Sequence, residues 1–279
     1  MILESMFMGR RMKARVDRIA AVALLGVFVV SHTALAQPAS PPTLDQILQQ
    51  LDANLHRYDA QVPDFFCSEH VVSSQTYART RQMTVNDSIF RLQRVSHPGG
   101  AATLKESREA KSINGTSVEG KQIQGPTILG GVFSGGLDVV SLSQKSCMNY
   151  TLEPTKPGEP YVVHFATLPG KLAANCLLTE ESSGRVFIDP TTMQVKRMVL
   201  IAPHHTILPQ TVGVWRIAID YAPVLLDGKT FWMPVTIAST AISTYDDNQT
   251  VWAFDAHYSN YHKLEVSFRI LPPDNPSTQ

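Results

Sequence analysis

Several groups of residues in this chain are of types that do chemistry, so their spacing decides what they are able to do. The stretch "GPTILGGVFSGG", Gly125 to Gly136, is as glycine-rich as a phosphate-cradling loop. It lacks the Gly-Lys-Ser/Thr ending that reaches phosphates and magnesium. Nor is it a nucleophile elbow, because Val132 stands two residues before Ser134, where a Gly-x-Ser-x-Gly turn needs glycine. The stretch reads instead as a lid or packing loop. His204-His205 and the pair His257 and His262 are of metal-ligating type. Neighbours on a strand diverge and residues five apart point to opposite faces, so neither pair is spaced to share an ion. His204 and His205 follow Pro203 and read as a solvated loop. Asp246-Asp247 in "TYDDNQT" carries calcium-binding chemistry, but two carboxylates among turn formers read as a turn. No catalytic, cofactor-binding or metal-binding residue is assigned on this basis, and the ligand contacts are left unassigned.

The cysteines, Cys67, Cys147 and Cys176, fit no zinc spacing. Their odd number leaves at least one thiol unpaired; which two pair, if any, is open. A nucleophilic cysteine needs a positioned histidine, which spacing cannot supply.

The chain begins with a pattern for export. Arg10, Arg11, Lys13, Arg15 and Arg18 precede an apolar or glycine run, Ile19 to Val30, followed by Ala34-Leu35-Ala36 and Gln37. Charged, apolar and small-residue regions in that order form a secretory signal, and the run is shorter than the ~20 residues of a membrane span. Residues 1–36 are therefore expected to be a signal peptide, cleaved between Ala36 and Gln37 to leave a periplasmic or secreted protein. Those residues hold five basic and two acidic groups; the remainder carries 19 Lys and Arg against 22 Asp and Glu, about −3. A mildly acidic chain with no basic stripe is a poor partner for nucleic acid. Residues 37–42 and 272–279, rich in Pro and Ser, are expected to be flexible tails around one β-rich domain, 43–271.

The elements that would position any site follow from periodicity. Thr43-Leu44-Asp45-Gln46 is a capping box, and Leu44, Ile47, Leu48, Leu51, Leu55 and Tyr58 recur on one helical face that Pro63 closes. The period then changes to two. Trp215, Ile217, Ile219 and Tyr221 alternate with Arg216, Ala218 and Asp220, and Leu264 to Ile270 alternate likewise. Asn114-Gly115, Ser183-Gly184, Asp189-Pro190 and Asp227-Gly228 mark hairpin turns. "AATLKESREAK", Ala101 to Lys111, has helix-forming composition yet runs into Asn114-Gly115, and is assigned to a strand. A second short helix is expected within Gly136–Lys145.

The predicted class is α+β, mainly antiparallel β. About nine strands span roughly 40 Å, whereas one helix covers about 10 Å. The sheet must then curl, pair with another sheet, or leave apolar surface open. A strongly curved, unclosed half-barrel wrapped around the N-terminal helix and the second short helix is the expected solution.

The hairpin Gly184-Arg185-Val186-Phe187-Ile188-Asp189-Pro190-Thr191-Thr192, followed by Val195-Lys196-Arg197, resembles the Gly-x-x-x-Ile-Asp-Pro-x-Thr hairpin of periplasmic lipoprotein carriers of the LolA type and lipoprotein-sensing regulators of the RseB type. The "YAPVLLDGKTFWMP" hairpin and the "YSNYHKLEVSFRI" strand are similar to the same superfamily. The order of helix and hairpins also resembles a group of uncharacterised secreted proteins. The resemblance implies an unclosed barrel around helices with an apolar cavity for acyl chains; no cofactor and no catalysis are expected, because no convincing motif for either is present. It makes a secreted or periplasmic binding protein for a lipid, an acylated protein or another apolar ligand the leading expectation. The alternatives are a non-enzymatic module docking an envelope protein partner and, third, a hydrolase.

Overall fold

The computed structural model describes residues 41–96, 103–170, 176–208, 211–245 and 248–265. The expected signal peptide, most of both tails and the Asp246-Asp247 turn lie outside these. Helix α1, Leu44–Gln61, opens the described chain. Thr43 caps it: its hydroxyl accepts from Gln46 N while the Gln46 side chain accepts from Thr43 N, both halves of a capping box. Ile47, Leu48, Leu51 and Leu55 are buried along one face, as the spacing predicts.

Eleven strands follow: β1 (Phe65–Tyr77), β2 (Thr80–Val95), β3 (Thr103–Ile113), β4 (Thr116–Lys121), β5 (Met148–Leu152), β6 (Tyr161–Thr167), β7 (Ser183–Ile188), β8 (Val195–Leu208), β9 (Thr211–Leu226), β10 (Lys229–Tyr245) and β11 (Asn248–Lys263). They form one antiparallel sheet in the order β4-β3-β2-β1-β11-β10-β9-β8-β7-β6-β5. Every neighbour is consecutive in sequence except at one point. β1 pairs with β11, and β4 and β5, joined by residues 122–147, lie at opposite edges.

The sheet is open and not strongly curled, which corrects the expected half-barrel. The size argument assumed one helix as the only cover. Instead, α1 shares the apolar face with residues 122–147, which contain the one-turn helix α2 (Val132–Gly135) and 3-10 turns at Gly136–Val140 and Leu142–Gln144. Phe133, Val139 and Val140 from this segment are buried against the sheet. Two covering pieces let an eleven-strand sheet, about 50 Å wide, stay open. The second helix expected within Gly136–Lys145 is thus 3-10 in form, with α2 just ahead of it.

The strand phase read over Trp215 to Tyr221 holds. Ile217, Ile219 and Tyr221 are buried, Trp215 is half-buried and Arg216 is exposed. Asn114-Gly115 and Asp227-Gly228 turn tight hairpins with both residues at positive φ, as type I′ geometry requires. Ser183-Gly184 is not a turn but the start of β7. A Cβ on Gly184 would sit 2.1 Å from the Val199 carbonyl and 2.4 Å from the Phe165 ring, so this glycine permits a close cross-strand approach. His204 and His205 lie in β8, not in a loop; Pro203 is accommodated because the pairing with β9 is irregular between Ala202 and His205. The last strand ends at Lys263, and residues 266–270 lie outside those described.

Candidate functional site

The inner face of β1, β2 and β3 carries polar residues in phase with apolar ones. In β1 the buried set is Phe65, Cys67, Glu69, Val71 and Ser73; in β2 it is Asn86, Ser88, Phe90 and Leu92. Across from these, Phe90 faces Arg108 and Leu92 faces Glu106 on β3. Burial of so many polar groups is tolerated only where they are paired.

Their partners are one another and the glycine-rich segment. Glu69 is 1% exposed. Arg108 Nε donates to its Oε1 at 2.8 Å and Oε2 at 3.1 Å, and Ser88 Oγ donates to Oε2 at 2.7 Å. The Arg108 guanidinium lies 5.0 Å over the Phe90 ring and 3.6 Å from Glu106 Oε2. Glu106 in turn accepts from Gly131 N (3.0 Å), Ser134 N (2.9 Å) and Ser134 Oγ (2.9 Å). The Ser134 hydroxyl is therefore a tether to Glu106. Further along, Ser73 Oγ donates to the Thr127 carbonyl at 2.6 Å and accepts from Thr127 N, while Asn86 exchanges two hydrogen bonds with the Gln124 backbone. Gly125 fits here because a Cβ would lie 2.5 Å from Ser73 Oγ. Residues 124–134 are thus a strap, fastened across the sheet by Asn86, Ser73 and Glu106.

Beneath the strap is a groove. Val132, Leu178, Met198, Leu200, Trp215 and Ile217 line a space of about 230 Å³ whose walls include Gly130, Gly131 and Gly136. At Trp215 and Gly130 it meets a second space of about 470 Å³ between Ile128, Leu129, Ile207, Ala241 and Trp252. At this end Trp215 Nε1 donates to Ser239 Oγ at 2.7 Å, and His205, stacked on Trp215, has Nδ1 2.7 Å from Glu180 Oε1, while the buried Thr127 Oγ1 has no hydrogen-bond partner. A separate cleft of about 100 Å³ lies between α1 and the β9–β10 hairpin. Behind the strap, burial pushes the Asp138 carboxyl up to about 6, with Asp59 adding to the shift.

The other residues weighed in the sequence fall elsewhere. Cys147 and Cys176 form a disulfide, while Cys67 is free and buried, and burial pushes its thiol up, away from reactivity. A disulfide fits an oxidising, extracytoplasmic compartment. Asp189 is a turn former: its Oδ1 accepts from Thr191 N, Thr192 N and Thr192 Oγ1, and the two backbone bonds together with the hydroxyl hold its carboxyl below the usual range. His257 is not near His262 in role. His262 stacks on Phe66, whereas His257 stands opposite His70. No helix among the described residues is long and apolar enough to cross a membrane.

An open antiparallel sheet with a polar-fastened strap over an apolar groove is the class of protein that these features define. Solved structures similar to this chain include an outer-membrane lipoprotein-sorting protein domain from Vibrio parahaemolyticus, 12% identical with a TM-score of 0.35, over 77% of this chain and 89% of that one. A LolA-superfamily protein from Nitrosomonas europaea is 11% identical with a TM-score of 0.34, over 81% and 94%. The MucA/MucB complex of Pseudomonas aeruginosa is 10% identical with a TM-score of 0.21, over 76% and 94%. These are the superfamilies that the Gly184–Thr192 hairpin resembles, found at low sequence identity. No family model matches the chain, and no curated protein matches it.

Proposed function

We propose that the protein is an exported, non-catalytic binding protein that holds a lipid, an acylated protein or another apolar ligand in the groove beneath the strap. The observation that carries this reading is the groove itself, which is walled by Met198, Leu200, Trp215 and Ile217 on strands and by a glycine-rich cover. Glycines at 130 and 131, where a Cβ would meet nothing within 4 Å, keep that wall free of side chains, so space remains where a packed core would have filled it. Apolar walls with polar groups gathered at one end suit a ligand that is mainly hydrocarbon.

The test uses the mature chain and a groove-filling substitution. Gly130 borders both spaces, and a Cβ there meets nothing within 4 Å. Gly130→Trp should fill the groove without straining the backbone. Mass spectrometry of an organic extract of the wild type should detect co-purified lipid, and the fluorescent apolar probe N-phenylnaphthylamine should bind it. The Trp variant should lose both while keeping its melting temperature. Equal probe binding by the two proteins would place the ligand elsewhere; no lipid and no probe binding in the wild type would favour the partner-docking alternative.

A further inference from the structure

The outer face of the sheet, opposite the groove, carries a row of polar side chains directly across from one another. Ser112 on β3 pairs with Asp87 on β2, Asp87 with His70 on β1, His70 with His257 on β11, and His257 with Thr236 on β10. Both histidines are exposed. Directly opposed residues on antiparallel strands have Cβ atoms about 4.5–5.5 Å apart. Two imidazoles so placed can bring one nitrogen each to the roughly 3.3 Å separation that a tetrahedral ion with ~2.05 Å bonds requires.

The His70 ring is already set for this. Its Nδ1 lies 2.7 Å from Asp87 Oδ1, and Ser112 Oγ donates to Asp87 Oδ2 at 2.7 Å. A carboxylate at Nδ1 keeps the proton there and leaves the Nε2 lone pair outward, the arrangement in which a carboxylate orients and strengthens a metal-binding histidine. Among the described residues no set of three or more His, Cys, Asp and Glu side chains is gathered to hold a metal, so the site rests on the opposed pair His70 and His257 alone.

We propose that His70 and His257 form a two-histidine site for a divalent transition-metal ion of the zinc, nickel and copper class, with Asp87 as the positioning residue and water completing the coordination. Imidazole pairs select these ions over magnesium and calcium, which demand oxygen. The site is independent of the groove, being on the other face of the sheet.

Titration of tag-free, chelator-stripped mature protein with ZnCl₂ and NiCl₂ by calorimetry tests it. The wild type should bind one ion at this site. His70→Gln and His257→Gln should each weaken that binding at least tenfold, and Asp87→Asn should weaken it by about 10–100-fold. His204→Gln serves as the control and should leave it intact. All four variants change exposed or half-exposed groups, and equal melting temperatures in chelator would confirm folding. No saturable binding by the wild type, binding that survives either histidine substitution, or binding lost only in the control would each overturn the proposal.

Discussion

Replacing Arg108 by methionine separates a dry, ion-paired strap anchor from a hydrated one. Arg108 is the cation shared by two inner-face carboxylates, with side-chain exposures of 10% for Arg108, 0% for Glu69 and 8% for Glu106. In Arg108→Met, Glu106 keeps its three donors from the strap, but Glu69 is left with the Ser88 and Tyr258 hydroxyls and no cation. Stranding one member of a buried pair costs about 3–5 kcal/mol, a large share of the ~5–15 kcal/mol by which a domain is stable. With a urea slope of about 2–3 kcal/mol per molar, the unfolding midpoint should fall by about 1–2.5 M. Glu69→Gln added to Arg108→Met removes the stranded charge and should recover more than half of that loss. A single-variant shift within about 0.5 kcal/mol, typical of exposed positions, would refute the reasoning. So would a double variant no more stable than the single one.

The remaining outcomes concern phase, turn and titration. Ile217→Asp should unfold the protein, because a carboxylate would enter the buried face, whereas Arg216→Ser should leave the melting temperature nearly unchanged; equal effects would mean the strand phase is wrong. Asp189→Asn keeps the Oδ1 acceptor and should melt almost as the wild type at neutral pH, while Pro190→Gly should cost about 1 kcal/mol through a freer unfolded chain. Because the folded Asp189 carboxyl titrates below its unfolded value, its contribution is present above the ordinary carboxylate range and lost in acid, so Asp189→Asn should reduce the acid dependence of thermal melts. Asp138 has the opposite sign: raised to about 6, it favours the folded state while protonated, and that preference fades as pH rises from about 4 to 6. Asp138→Asn should therefore raise stability at pH 7 by about 1 kcal/mol, discounted for its partial exposure, and little at pH 4; a loss at pH 7 would contradict this.

How legible the molecule was in its sequence depended on whether a residue's role was local. The α1 cap, the period-two phase of Trp215 to Tyr221 and the Asn-Gly and Asp-Gly turns depend on near neighbours, and they were readable. "AATLKESREAK" resisted because Glu106 and Arg108 occupy inner-face positions, so both faces of β3 look polar; only a partner on β1, Glu69, makes that burial tolerable. The strap anchors were hidden likewise, although Glu69 and Ser73 do fall in phase with Phe65, Cys67 and Val71, a signal available once the phase of β1 is known. Ser183-Gly184 looked like a turn because the approach of Phe165 that demands glycine comes from another strand. The metal-type histidines were compared along the chain, His257 with His262, whereas the relevant neighbour, His70, lies across the β1–β11 pairing. The half-barrel expectation failed on a count of covers, since residues 122–147 carry too little helical periodicity to announce themselves as a second layer.

The β1–β11 pairing also sets the order in which the chain can complete itself. β1 to β4 and β5 to β11 are two runs of successive hairpins, each able to form from near neighbours, but the seam that joins them sets Phe65 opposite Lys263. Closing so long a loop is entropically costly and slow. A chain that emerges amino end first therefore carries β1 with an unmated edge, and with Phe65, Cys67 and Val71 on the face beside it, until nearly the whole polypeptide is available. Unmated apolar edges recruit other chains. Loss of the segment from Asn248 onward would leave both β1 and β10 in that state, converting one finished sheet into two adhesive halves.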